Sequence, residues 1–162
     1  MTVEYPTTER AALRAEIEAT RDAFRSLVAS LPENRWREVA TGSKWNGRQL
    51  LEHITWSLEQ LPKEIESARN ERGMFNYPKV LANAGSLWMV KWSARKATRE
   101  SLSARYDAAI EKILGSLKAV QENEWTRGAR FYGEGFYSVA DLFRTPANHF
   151  QEHASLLRDP PQ

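Results

Sequence analysis

The sequence predicts an all-α protein, a four-helix bundle with long connections. Two observations carry that prediction. Apolar residues recur at helical spacing in four long segments, and no segment carries a convincing alternating strand repeat. The 162 residues suit one compact domain with a sizeable core. No internal repeat or low-complexity linker divides them, so a single domain over residues 1–162 is the expectation.

The first helix is expected from about Thr8 to Ser30. Leu13, Ile17, Phe24, Leu27, Val28 and Leu31 form its stripe, charged residues fill the other face, and Pro32 helps to end it. "PENRWREVATGSKWNG" reads as a connecting loop. A second helix follows from about Gly47 to Asn70, with Asn46 as N-cap and Leu50, Ile54, Leu58, Leu61 and Ile65 as its stripe. Pro62 falls inside that stripe and should kink or divide the helix. Val80, Leu81, Ala84, Leu87, Trp88 and Trp92 suggest a short helical connector. The third long helix starts near Thr98 and carries Leu102, Tyr106, Ile110, Ile113, Leu117 and Val120. "TRGARFYGEGFY" reads as a glycine- and aromatic-rich loop with the look of a small hairpin. Ser138 and Asp141 then make an S-x-x-D start signal for the last helix, which runs to about Arg158 before a frayed "DPPQ" tail.

Composition removes several classes of function. Without cysteine, the chain has no disulfide scaffold, no thiolate zinc site and no cysteine nucleophile of its own. The net charge is +2, and the cations are interleaved with acids rather than massed, so nucleic-acid binding has little electrostatic support. "MTVEYPTTER" has no apolar signal core, and no apolar run approaches membrane-spanning length. The expected location is cytoplasmic.

The chain has three histidines. His149 and His153 stand four residues apart in "NHFQEHASLLR", on the apolar stripe formed by Val139, Leu142, Phe143, Pro146, Phe150, Leu156 and Leu157. At that spacing two imidazoles leave one helix face close enough to share an ion. His53 lies beside the stripe of the second helix, flanked by Leu50 and Trp56. If the second and fourth helices face each other, the three rings converge in the core, where helix bundles commonly build metal sites. Three nitrogens and a water make an open site for zinc, nickel or iron. The plainer alternative is that each imidazole satisfies an ordinary core hydrogen bond or is solvated. Glu52 and Glu152 adjoin the histidines in sequence but point about 100° away from them, and both read as solvated helix charge. Ser43, Thr41 and Ser57 have no histidine–acid pair to activate them.

"KWNGRQLLEHITW" and "NHFQEHASLLR" resemble the DinB/YfiT-like metalloenzyme family, and the resemblance extends over nearly the whole chain. It implies a four-helix bundle in which a histidine from helix two and two residues from helix four hold a divalent metal. Carried over position by position, those are His53, His149 and His153. Some relatives place an acid at one of these positions; this chain has three imidazoles. The family includes mycothiol-dependent maleylpyruvate isomerase, bacillithiol transferases and a self-protection hydrolase. The resemblance therefore implies a divalent ion and, for some reactions, a low-molecular-weight thiol.

Most of the aromatic set (Trp45, Trp56, Trp88, Trp92, Trp125, Phe131, Tyr132, Phe136 and Tyr137) reads as core and loop packing. Trp56, Phe136 and Tyr137 are the candidates to wall an apolar substrate pocket over the metal, because the "FYGEGFY" loop directly precedes the ligand helix. Glu134 at its tip becomes a base if the loop closes over the site. Pro146 is expected to bend the final helix just before the ligands. The leading functional expectation is a metal-dependent enzyme that activates water or a small-molecule thiol, hence a hydrolase or a thiol-dependent transferase or isomerase. The alternative is a non-catalytic helical bundle of stress-response type that binds a metal or a small ligand. Expected partners are a small-molecule substrate, with a homodimer left open, and neither nucleic acid nor membrane.

Overall fold

The structure, a computed structural model, describes residues 7–74, 76 and 78–158. Six helices run α1 Thr7–Ser30, α2 Glu33–Arg37, α3 Gly47–Arg69, α4 Lys79–Ser93, α5 Arg99–Ala119 and α6 Val139–Arg158. Between α5 and α6 lies one antiparallel hairpin, β1 Gly128–Phe131 and β2 Gly135–Ser138, which pairs Gly128 with Ser138 and Phe131 with Gly135. The protein is thus predominantly helical. The frayed tail expected at "DPPQ" lies outside the described residues.

The predicted stripes are the core. Leu13, Ile17, Phe24, Leu27, Val28 and Leu31 of α1 are all buried, as are Leu50, Ile54, Leu58, Leu61 and Ile65 of α3. Leu102, Tyr106, Ile110, Ile113 and Leu117 of α5 join Phe143, Phe150 and Leu157 of α6 in the same cluster. Phe24 stacks on Tyr106 at 3.8 Å between centroids and meets Phe150 edge-on at 6.3 Å, which ties α1, α5 and α6 together.

Each of α1 and α3 packs against both α5 and α6. Specific pairs fix the directions. Arg25 reaches Asp107, whereas Arg10, earlier in α1, donates to the carbonyls of Leu117 and Val120. Helices α1 and α5 are therefore antiparallel. Arg105 meets Glu52 and Glu59, and Arg69 reaches the Ala119 carbonyl, so α3 and α5 run parallel. His53 near the start of α3 meets His149 and His153 in the second half of α6, whereas Arg127, ahead of α6, donates to the Arg69 carbonyl at the end of α3, so that pair is antiparallel. The chain goes up, down, down and up through α1, α3, α5 and α6. Two consecutive long helices can run the same way only if a long connection returns the chain between them. α4 is that return, so the segment read as a short connector is a helix of 15 residues.

One local expectation is corrected and a second is narrowed. The loop after α1 contains α2, whose Trp36 is buried beneath the Arg99 guanidinium, 4.6 Å from the ring centroid. Pro62 does not divide its helix, since α3 is continuous from Gly47 to Arg69. Its missing N–H costs roughly 3 kcal/mol, but burial of Leu58, Leu61 and Ile65 around it contributes about 1.5–3 kcal/mol apiece. Pro146 likewise lies within an unbroken α6, and its ring is buried.

Candidate metal centre

The three histidines meet where the first turns of α3 face the last turns of α6. Asn46 caps α3 as the sequence suggested. Its side chain accepts from the Gln49 N–H, and the Gln49 side chain accepts from the Asn46 N–H, a reciprocal capping box. Gly47 is required immediately after it. A Cβ there would run into the Arg35 carbonyl and the Leu31 side chain, so its absence lets α2 lie on the start of α3. At the other end of the chain, Ser138 and Asp141 bond each other's backbone N–H groups and start α6.

These two helix starts set the registers that bring the rings together. His53 Nε2 is 3.1 Å from His149 Nε2. Ring centroids lie 4.9 Å apart for His53–His149, 4.9 Å for His53–His153 and 4.5 Å for His149–His153. One nitrogen from each ring falls within 4.8 Å of the other two, a grouping able to hold a metal ion. Each histidine is half-buried.

Burial pushes His53 down to about 3, and the like charges of His149 and His153 add to the effect. Burial, with His153 beside it, lowers His149 to about 4. Burial also lowers His153, against a smaller opposing pull from Glu152. The rings are thus neutral at physiological pH, the state in which imidazole offers a lone pair to a metal. Two nitrogens about 2.1 Å from one ion stand roughly 3.0 Å apart at a right angle and roughly 3.4 Å apart at the tetrahedral angle, and 3.1 Å lies in that interval. The buried Nδ1 atoms of His53 and His153 have no hydrogen-bond partner among the described residues. With His53 Nε2 turned toward His149, the Nδ1 of His53 is the outer nitrogen of its ring, the position that an ordered water or an acceptor beyond the ligands satisfies. The donor set fits a divalent ion.

The aromatic wall differs from expectation. Trp45, which was not among the pocket candidates, lies on the centre, its ring centroid 4.6 Å from that of His53. It precedes the N-cap of α3, and the chain around it is folded back: Val39 bridges Asn46, the Ala40 N–H donates to the Trp45 carbonyl, and Gly42 takes a left-handed φ of 76° at the turn. A bulky apolar residue just before an N-cap commonly folds over the first turns of its helix, and that signal could have found it. Trp56 is half-buried one turn beyond His53 on α3. Phe136 and Tyr137 belong to the hairpin, which meets the opposite end of α3: the Tyr132 hydroxyl donates to Glu64, and Met74 bridges Phe131. Eleven helical residues separate Glu64 from His53, about 16 Å at 1.5 Å per residue. Phe136, 61% exposed, and Tyr137, packed on the core beneath the hairpin, therefore do not border the histidines. Glu134 at the same tip is equally distant. Preceding the ligand helix placed that loop at the wrong end, because His149 lies well along α6.

Glu52 is a second correction. It is fully buried rather than solvated, and both of its oxygens accept from Arg105 of α5, at 3.1 and 2.8 Å. Arg105 also bonds Glu59 one side further along α3, at 2.8 Å. Turning 100° from His53, as the sequence indicated, points Glu52 into the α3–α5 contact rather than into water. Glu152 is exposed.

The sequence profile of the DinB superfamily matches residues 16–157. No curated protein and no solved structure matches the chain. No helix among the described residues is long and apolar enough to cross a membrane.

Proposed function

The chain belongs to the DinB superfamily, and from that membership and its three-histidine centre we propose that it is a divalent-metal-dependent enzyme acting on a small molecule. The observation that carries the reading is the convergence of His53, His149 and His153 from two helices, with 3.1 Å between the first two Nε2 atoms. In this reading all three imidazoles hold the ion. A bound divalent ion supplies positive charge that lowers the pKa of a water or of a small-molecule thiol brought to it. Neutral donors leave that charge undiminished. Trp45 covers His53 and keeps bulk water from that side. Arg105 occupies both oxygens of Glu52, so that carboxylate is not free to act as a base. Activation then rests on the ion itself, with hydrolysis or thiol-dependent transfer or isomerisation as the reaction classes. Zinc, nickel and iron all suit imidazole donors.

The commitment of Glu52 to Arg105 also gives weight to a second reading, a non-catalytic bundle that binds a metal or small ligand. One experiment separates the two. The protein loaded in turn with zinc, nickel and iron is assayed against ester and amide substrates, and against electrophiles with several low-molecular-weight thiols. Turnover that disappears in His153→Ala supports the enzyme. Full metal loading with no turnover on either panel supports the binding protein.

A further inference from the structure

α4 packs against α3, and among its described residues the exposed ones include Gly85, Trp88 and Trp92. Val90 and Ala94 are buried on the inner side, while Trp88 and Trp92 are 70% and 58% exposed. Packing was the expectation for most of the aromatic set, yet both of these tryptophans are largely exposed. Tryptophan is highly buried on average, and paired exposed indoles usually mark a contact surface. Gly85 is exposed on the same helix, and a Cβ there would meet nothing within 4 Å. Among the described residues, then, no close approach requires a glycine here, although glycine weakens a helix interior. Gly85, Trp88 and Trp92 stand at i, i+3 and i+7, on one stripe.

We propose that α4 is the interface for a second copy of this chain, with the Trp92 indole of each copy seated in the notch at Gly85 of the other. The spacing makes the stripe self-complementary. In an antiparallel pair with its two-fold axis between Trp88 and Met89, Gly85 falls opposite Trp92, and Trp88 falls opposite Met89. Both contacts then occur twice, as an isologous interface demands. The two indoles expose on the order of 300 Å² per copy, about half of what the smaller stable interfaces bury in total once both copies are counted. The exposed cations Lys91, Arg95 and Lys96 lie toward the C-terminal side, so the antiparallel arrangement carries the two sets to opposite ends. Indoles flanked by cations also suit an anionic bilayer, but a bilayer gives Gly85 no role. The notch favours the second copy.

The test is sedimentation of the full chain from about 5 to 200 µM, for the parent, Gly85→Leu and Trp88→Ala/Trp92→Ala. Gly85→Leu is the sharper variant. It fills the notch, yet leucine favours helix over glycine and meets open space, so the single chain should fold at least as well, checked by far-UV circular dichroism and thermal melting. The expected result is a parent at twice the 18.6 kDa chain mass, with dissociation constants raised at least about a hundredfold in both variants. A parent monomeric throughout overturns the proposal, and so does a dimer that survives Gly85→Leu. A monomeric parent that sediments with phosphatidylserine-containing vesicles overturns it in favour of a membrane contact.

Discussion

His53 Nε2 faces His149 Nε2 across 3.1 Å, joining a helix from the first half of the chain to the last one. Both rings are half-buried, and that burial disfavours an added proton on either of them. Several measurable consequences depend on this pair and on the contacts that support it.

The first consequence is thermal. An ion held by three residues of the folded state, and not by the unfolded chain, stabilises by mass action, about 2.7 kcal/mol at a hundred times the dissociation constant. For a chain of this size that corresponds to a rise in Tm of roughly 5–10 °C. Differential scanning calorimetry of chelator-treated protein, with and without added zinc or nickel, measures the rise. It should vanish in His149→Ala.

Acid should weaken the metal-free protein in a defined window. His53 and His149 fall from 6.5 to about 3 and about 4 on folding. The folded state therefore binds fewer protons than the unfolded chain between those limits, and stability rises with pH there. It is complete above about pH 6.5 and is lost as pH falls toward 4, with a slope of about 1.4 kcal/mol per unit for each histidine. Urea unfolding at pH 7, 6 and 5 reads this slope. His53→Gln/His149→Gln should flatten it; an unchanged slope would assign the acid sensitivity to other groups.

Arg105 should be far more important than its partly exposed position suggests. Replacing it with methionine strands the buried Glu52 carboxylate without its guanidinium, which should cost about 3–5 kcal/mol. Replacing both residues together, as Arg105→Met/Glu52→Met, should recover most of the loss, because two apolar side chains carry no unpaired charge. Denaturant melts of the two single variants and the double variant test the coupling.

Gly47→Ala should disturb the centre from a distance. The added methyl meets the Arg35 carbonyl and Leu31, so α2 or the start of α3 must shift. A cost of about 1–3 kcal/mol is expected for such overpacking. The Trp45 loop is anchored to the same turn, so indole fluorescence and metal affinity should change together. Loss of stability with unaltered metal affinity would separate the loop from the centre.

Much of this architecture was legible in the residues. The apolar stripes of α1, α3, α5 and α6 stand at helical spacing, and the same residues form the core. Asn46 and the Ser138–Asp141 pair marked two helix starts correctly, because capping is local chemistry. The histidine grouping followed from a pattern within one helix together with an antiparallel partner. What sequence reasoning missed depended on direction in space. Phe136 and Tyr137 are near His149 along the chain but sit beyond the far end of α6. Trp45 reaches His53 only because residues 39–46 fold back. Glu52 looked solvated because its partner, Arg105, lies on a helix whose parallel packing no local pattern reveals. That Pro62 would leave α3 undivided was not legible either, because its local cost is visible in the sequence and the burial around it is not.

The most direct test of the central claim is elemental analysis of chelator-stripped protein after reloading with zinc or nickel and desalting, on the parent and on His53→Ala. The account predicts about one ion per parent chain, and well under one in His53→Ala with helical circular dichroism retained. No bound ion in the parent, or full loading without His53, would contradict a centre built from His53, His149 and His153.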